Sequence, residues 1–168
     1  MGDEEVMRRA DDFARRHGLK LGEQFGYGVH GIVLAAESQS EPGRSAVKVH
    51  EQEPAYRRER DVYLRLQEHG VSELRGAHVP QLLGFDDELW VIRMTVVARP
   101  YVLDFAGAYL DRPPEFPDET MNEWRRDKEE QFGSKWNEVE RILWSLERLG
   151  VFLVDISPSN ISLIDESS

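Results

Sequence analysis

Gly26-Tyr27-Gly28-Val29-His30-Gly31 runs directly into Ile32-Val33-Leu34-Ala35-Ala36. This junction constrains the fold more than any other stretch of the chain. Glycine lacks a Cβ and admits positive φ, so three glycines at this spacing let backbone N–H groups face a bound anion. In a dinucleotide-binding fold such a spacing opens a helix. Here a β-branched apolar run follows instead, which predicts a strand and hence a glycine-lined hairpin. A hairpin with no ligand can show the same spacing, so the residues downstream have to decide.

Leu19 to Phe25 alternates as a first strand would, and Ile32 to Ala36 predicts the second. Pro42-Gly43 marks a turn, and Ser45 to His50 predicts a third strand, giving an antiparallel meander. Lys48 sits inside that apolar third strand, in Ala46-Val47-Lys48-Val49. It is either a lysine on an outward face or one that reaches a phosphate. Pro54 to His69 predicts a helix, with Pro54 in the first turn and Gly70 as the stop. Tyr56, Glu59, Tyr63 and Leu66 share one face of it at helical spacing. Glu59 therefore faces the sheet, and a buried carboxylate needs a partner, for which Lys48 is the obvious candidate. Glu53 falls just before this helix, and Arg57, Arg58 and Arg60 read as a solvated face.

Gln81 to Phe85 and Leu89 to Val97 predict two further strands about the turn Asp86-Asp87-Glu88, completing a five-stranded antiparallel sheet. In the second, Trp90, Ile92, Met94 and Val96 point one way and Leu89, Val91, Arg93 and Thr95 the other. At the N-terminus, Asp3 to His17 predicts a helix stopped by Gly18 and packed on the edge of the domain. From Tyr101 the character changes. Asp111 to Pro117 is a proline-rich loop, Asp118 to Phe132 a polar helix, and Ser134 the cap of a helix whose apolar stripe is Trp136, Val139, Ile142, Leu143 and Leu146. Trp124 and Trp136, on separate helices, form no evident stacking platform. Short strands at Val151 to Val154 and Ile161 to Ile164 flank Asp155-Ile156-Ser157-Pro158-Ser159-Asn160. The shift near Val97–Pro100 divides the chain into an N-terminal helical extension (1–18), a first lobe (19–97) and a mainly helical second lobe (98–168).

A net charge of −11 argues against DNA or RNA as a principal partner. An anionic ligand would need local help from amides, lysine or a cation. There are no cysteines, which removes disulfides and thiolate metal sites and fits a cytoplasmic setting. No apolar run approaches the ~20 residues of a membrane span.

Taken together, these residues resemble the protein-kinase-like superfamily, whose signature is a glycine loop G-x-G-x-x-G-x-V, a third-strand lysine, a helix glutamate and an Asp with Asn five residues on. Gly26, Gly28, Gly31 and Val33 match the first, Lys48 the second, Glu59 the third, and Asp155 with Asn160 the fourth. The resemblance covers about residues 19–165. It implies an α+β fold in which a five-stranded sheet and one helix form the N-lobe over a truncated, mainly helical C-lobe. It implies ATP and Mg²⁺ as ligands. Gly26, Gly28, Gly31, Val33, Ala46 and Lys48 would surround the nucleotide, with Met94 as gatekeeper and Thr95 to Val97 as the hinge that meets adenine. Lys48 would hold the phosphates, Glu59 would orient Lys48, Asp155 would be the catalytic base, and Asn160 a magnesium ligand; read without the resemblance, an Asp before Ser-Pro-Ser can instead cap a turn, and Asn160 can be a turn-stabilising amide.

The departures matter as much. Leu153-Val154 replaces the His-Arg before the catalytic aspartate, Ser157 replaces a lysine, and no D-F-G follows Asn160. That missing aspartate is the family's magnesium carboxylate. Asp165 is a poor replacement. On an extended strand it lies about 16 Å from Asn160, at roughly 3.3 Å per residue, whereas magnesium ligands sit about 2.1 Å from the ion. The returning strand is expected to be missing, leaving Ile161–Ile164 as an unpaired edge open to a protein partner or to self-association. The expected function is a kinase-like ATP-binding protein that transfers the γ-phosphate to a protein or small-molecule hydroxyl. The alternative is a catalytically inactive pseudokinase-like scaffold. A third reading takes the chain as a fragment of a longer kinase.

Overall fold

A computed structural model describes residues 2–28 and 31–163, the side chains of residues 26–28 excepted. Val29, His30, Ile164 and Asp165 lie outside the described residues. The chain is α+β. Helix α1 (Asp3–His17) leads into β1 (Leu19–Gly28), β2 (Gly31–Ser38) and β3 (Arg44–His50), then α2 (Glu53–Glu68). Two short strands, β4 (Glu73–Leu74) and β5 (Ala77–His78), precede β6 (Leu82–Asp86) and β7 (Val91–Thr95). The second half contains β8 (Tyr101–Val102), β9 (Tyr109–Leu110), α3 (Asp118–Phe132), α4 (Trp136–Glu147), β10 (Val151–Phe152) and β11 (Ile161–Ser162).

The main sheet is antiparallel throughout, in the order β1-β2-β3-β7-β6. Its middle strands are covered on both faces. On one side lies α1, whose Val6, Ala10, Phe13 and Ala14 pack with Ile32, Leu34, Val47, Val49 and Val91. The helix thus crosses a face of the sheet and does not sit at the domain edge. It is pinned there by Arg9, whose Nη1 donates to the carbonyls of His50 and Leu89, both at 2.8 Å. On the other side, α2 and the second half of the chain share one core, from Tyr56, Val62, Tyr63 and Leu66 to Trp136, Val139, Ile142 and Leu146. The shift near Val97–Pro100 therefore separates two regions joined by a continuous apolar interior.

Several local expectations are corrected. Glu53 is the first residue of α2 and pairs with Arg57 one turn on, at 2.6 Å. Arg58 and Arg60 are not simply solvated. Arg58 Nε donates to Ala106 O at 2.8 Å, and Arg60 pairs with Asp61 and Asp87. Arg58 stays exposed while its head group reaches the second half, and Arg60 is half-buried against the turn after β6. Ser134 falls in a 3₁₀ turn, Gly133–Lys135, and α4 starts after it without a side-chain cap. Trp124 and Trp136, by contrast, agree with the reading that they form no stacking platform: they meet edge to face in the core, ring centres 6.0 Å apart.

The strand after Asn160 is paired on one side and is still an edge: it ends the order of its sheet, with no strand on its other side among the described residues. β11 pairs antiparallel with β8, Ile161 opposite Val102 and Ser162 opposite Tyr101, in a small sheet ordered β11-β8-β5-β4. Its neighbour comes from upstream in the chain.

Candidate functional site

The cavity lies where the inner face of the main sheet meets the second half of the chain. It encloses about 560 Å³. Strand alternation explains its ceiling. Along β3, Val47 and Val49 turn towards α1, so Ala46 and Lys48 turn inward. Val33 of β2 joins them, opposite Lys48 in the ladder. Met94 closes the back, with Tyr63 Oη 3.7 Å from its sulfur. Thr95 and Val97 lie along one rim, while Tyr101, Asp104 and Asn160 come from the second half.

Lys48 is the cavity's central cation. Its side chain is 7% exposed, and Nζ lies 2.8 Å from Glu59 Oε1 and 3.1 Å from Asp104 Oδ1. The alternative of an outward-facing lysine is excluded by this burial. Glu59 is fully buried because Tyr56, Glu59, Tyr63 and Leu66 all fall on the inner face of α2. Both its oxygens are used. Oε1 also meets His50 Nε2 at 2.8 Å, and Oε2 accepts from the Phe105 N–H at 2.7 Å.

The electrostatics follow from this geometry. Burial alone would lower the Lys48 pKa, but Glu59 and then Asp104 outweigh it and hold the ammonium above its ordinary value. Burial would likewise favour neutral Glu59, yet Lys48 and His50 reverse the sign and hold the carboxyl well below its usual range. The Tyr63 hydroxyl is pushed well up, first by burial and then by the two nearby carboxylates. Lys48 therefore enters the cavity as a fixed positive charge.

Asp104 is the residue that the sequence reading missed. It adopts a left-handed backbone, φ 64°, which turns its carboxylate into the cavity towards Lys48. Phe105, next to it, is completely buried edge-on to Tyr63, with ring centres 5.4 Å apart. An aspartate set between Leu103 and Phe105 is the one signal the sequence carried.

The remaining expected residues divide. Ala46, Val33, Lys48, Glu59, Met94, Thr95, Val97 and Asn160 all line the cavity. The Thr95 N–H already donates to Gln81 O at 2.9 Å, so that group is engaged within the fold. Gly26, Gly28 and Gly31 form the end of the β1–β2 hairpin, with Gly28 opposite Gly31. Gly31 is needed for close packing, since a Cβ there would lie 2.1 Å from Val49 O. Asp155 is exposed and is not among the cavity-lining residues. It sits against Gly107, where a Cβ would come 3.2 Å from its Oδ2. The Asn160 side chain knits its own loop. Oδ1 accepts from the Ser157 N–H at 2.8 Å and Nδ2 donates to Asp155 O at 3.1 Å. That loop is tied to α3 by Trp124 Nε1 on Val154 O and Lys128 Nζ on Ile156 O.

No protein-family model matches this sequence, and no curated protein matches it either.

Proposed function

We propose that the cavity binds ATP and that the protein is a compact, protein-kinase-like phosphotransferase acting on a hydroxyl. The observation that carries this reading is the buried Lys48–Glu59 pair, a third-strand lysine held by a helix glutamate beneath an apolar pocket. A purine would lie between Val33, Ala46 and Met94, with its edge towards Val96–Val97. Lys48 would meet the phosphates, and Glu59 would fix the ammonium so that no reorganisation is needed when the anion arrives. Asp155 would accept the proton of the attacking hydroxyl.

Magnesium fits the donor set. Among the described residues no group of three or more His, Cys, Asp or Glu could hold a metal unaided. Magnesium suits such a site, because it keeps its waters and takes one or two protein oxygens plus phosphate oxygens. Asn160 lines the cavity, and its Oδ1, one lone pair of which takes the Ser157 N–H, would offer the other to the ion. The ion would supply charge compensation on the phosphates.

The test is a thermal-shift titration with ATP and Mg²⁺, followed by a phosphotransfer assay on wild type and Asp155→Asn. The reading expects nucleotide to raise the melting temperature of both and phosphotransfer to vanish in the variant. No shift with any purine nucleotide would sink it. A second reading, a nucleotide-binding scaffold without catalysis, is favoured by the Asn160 side chain being engaged within its own loop. Nucleotide binding without transfer in wild type would select it.

A further inference from the structure

We infer that Asp104, delivered by a strand that precedes the Asp155–Asn160 loop in sequence, is the carboxylate that holds a divalent cation on the bound nucleotide; this rests on the nucleotide reading above. In the resemblance, that carboxylate follows the strand that returns alongside the one after Asn160. Here the strand after Asn160 is β11, and its antiparallel neighbour is β8, whose residues come about 60 positions earlier. The join is close. The Leu103 N–H donates to Asn160 O at 2.7 Å, so the residue before Asp104 is bonded directly to the end of the loop. The place beside the strand after Asn160 is thus reached, in space, from upstream.

The segment itself is built for a fixed carboxylate. In Asp104-Phe105-Ala106-Gly107, Asp104 faces the cavity, 26% exposed at the side chain. Phe105 is locked by its buried ring and by its N–H on Glu59 Oε2. Gly107 allows Asp155 to approach, since a Cβ there would meet Asp155 Cβ at 3.1 Å. The spacing differs by one residue from the D-F-G of kinases, in which Asp binds magnesium.

Charge points the same way. The charged side chains described in the cavity wall are Lys48, Glu59 and Asp104, one cation against two carboxylates. A polyphosphate entering that wall meets a net negative charge unless a cation comes with it. A cation between Asp104 and the phosphates would replace the Asp104–Lys48 contact and release Lys48 for the anion. The competing account is that Asp104 is only a second counter-ion for Lys48.

The two accounts separate by calorimetry with ADP, measured in EDTA and in Mg²⁺, for wild type and Asp104→Asn. We expect Mg²⁺ to tighten ADP in wild type by about tenfold or more, the scale on which altered metal surroundings act. In Asp104→Asn that gain should disappear while metal-free ADP binds as well or better, one repelling charge having gone. If the variant keeps the full Mg²⁺ gain, or wild type binds ADP with no metal effect, Asp104 is not the ligand. If wild type binds no ADP under either condition, the nucleotide reading fails and this inference falls with it. A second measurement needs no variant. Mn²⁺ added with ADP to isotope-labelled wild type should broaden the amide resonances of residues 103–107 and 159–161 first. Broadening centred elsewhere would overturn the assignment.

Discussion

The Phe105 backbone N–H donates to Glu59 Oε2 at 2.7 Å, so one buried carboxylate serves both the strand lysine and the segment that carries Asp104. Helix α2 and the Asp104 turn cannot move independently while that bond holds. Lys48, Glu59, His50, Phe105 and Asp104 behave as one bonded unit, and changes within it should be non-additive.

Glu59→Gln tests that unit. The substitution leaves a buried ammonium with Asp104 as its one full negative partner among the described residues. Loss of one member of a buried ion pair costs about 3–5 kcal/mol. Urea unfolding of the variant should show a loss in that range. A loss below about 1 kcal/mol, the scale of an exposed pair, would show that the Lys48–Glu59 contact is not maintained in solution.

Acid should act through the same carboxyl. Its folded-state pKa is depressed, because Lys48 and His50 outweigh the effect of burial. The stability it contributes is complete above the unfolded value of about 4.3 and is lost as pH falls below it. Unfolding free energy measured from pH 7 to pH 3 should therefore fall more steeply in wild type than in Glu59→Gln. Parallel curves would contradict the assignment.

Gly31→Ala should be costly. Its Cβ would lie 2.1 Å from Val49 O, a backbone atom in the neighbouring strand that cannot swing aside. Overpacking of this kind typically costs about 1–3 kcal/mol. Gly43→Ala is the control, since φ there is +98° but nothing lies within 4 Å of the added carbon. Chemical denaturation should rank Gly31→Ala as the more damaging, and the reverse order would refute the packing argument.

Ala46→Leu addresses the pocket without touching the charges. Ala46 lies opposite Met94 in the ladder and faces the space assigned to the base. The larger side chain should weaken the nucleotide-induced thermal shift at least severalfold while the protein stays folded by circular dichroism. An unchanged shift would place the base elsewhere.

Much of this architecture was legible in the sequence, for identifiable reasons. Asp3–His17 and Asp118–Phe132 emerge with the boundaries their periodicity and flanking residues suggest. Lys48 and Glu59 could be paired because period 2 and period 3.6 each put one charged residue on an otherwise apolar face. Asp104 could not be read this way. It lies in irregular chain with no periodicity to give its direction, and its partner Lys48 is 56 residues away. The pairing of β11 with β8 was equally hidden, because two-residue strands carry no alternation. The Asp155–Asn160 loop was found by spacing, which left Asn160 open between a turn-stabilising amide and a magnesium ligand; the structure shows the amide bonded inside the loop.

The β8–β11 ladder also sets the order in which the molecule can be completed during synthesis. Residue 162 must leave the ribosome before the floor under Asp104 can close, and chains emerge at about 5–20 residues per second. The five-stranded layer will be available seconds before the cavity beneath it. A nascent chain arrested after α3 would therefore present Lys48 and Glu59 without the Asn160 loop and the β11 strand that complete the chamber.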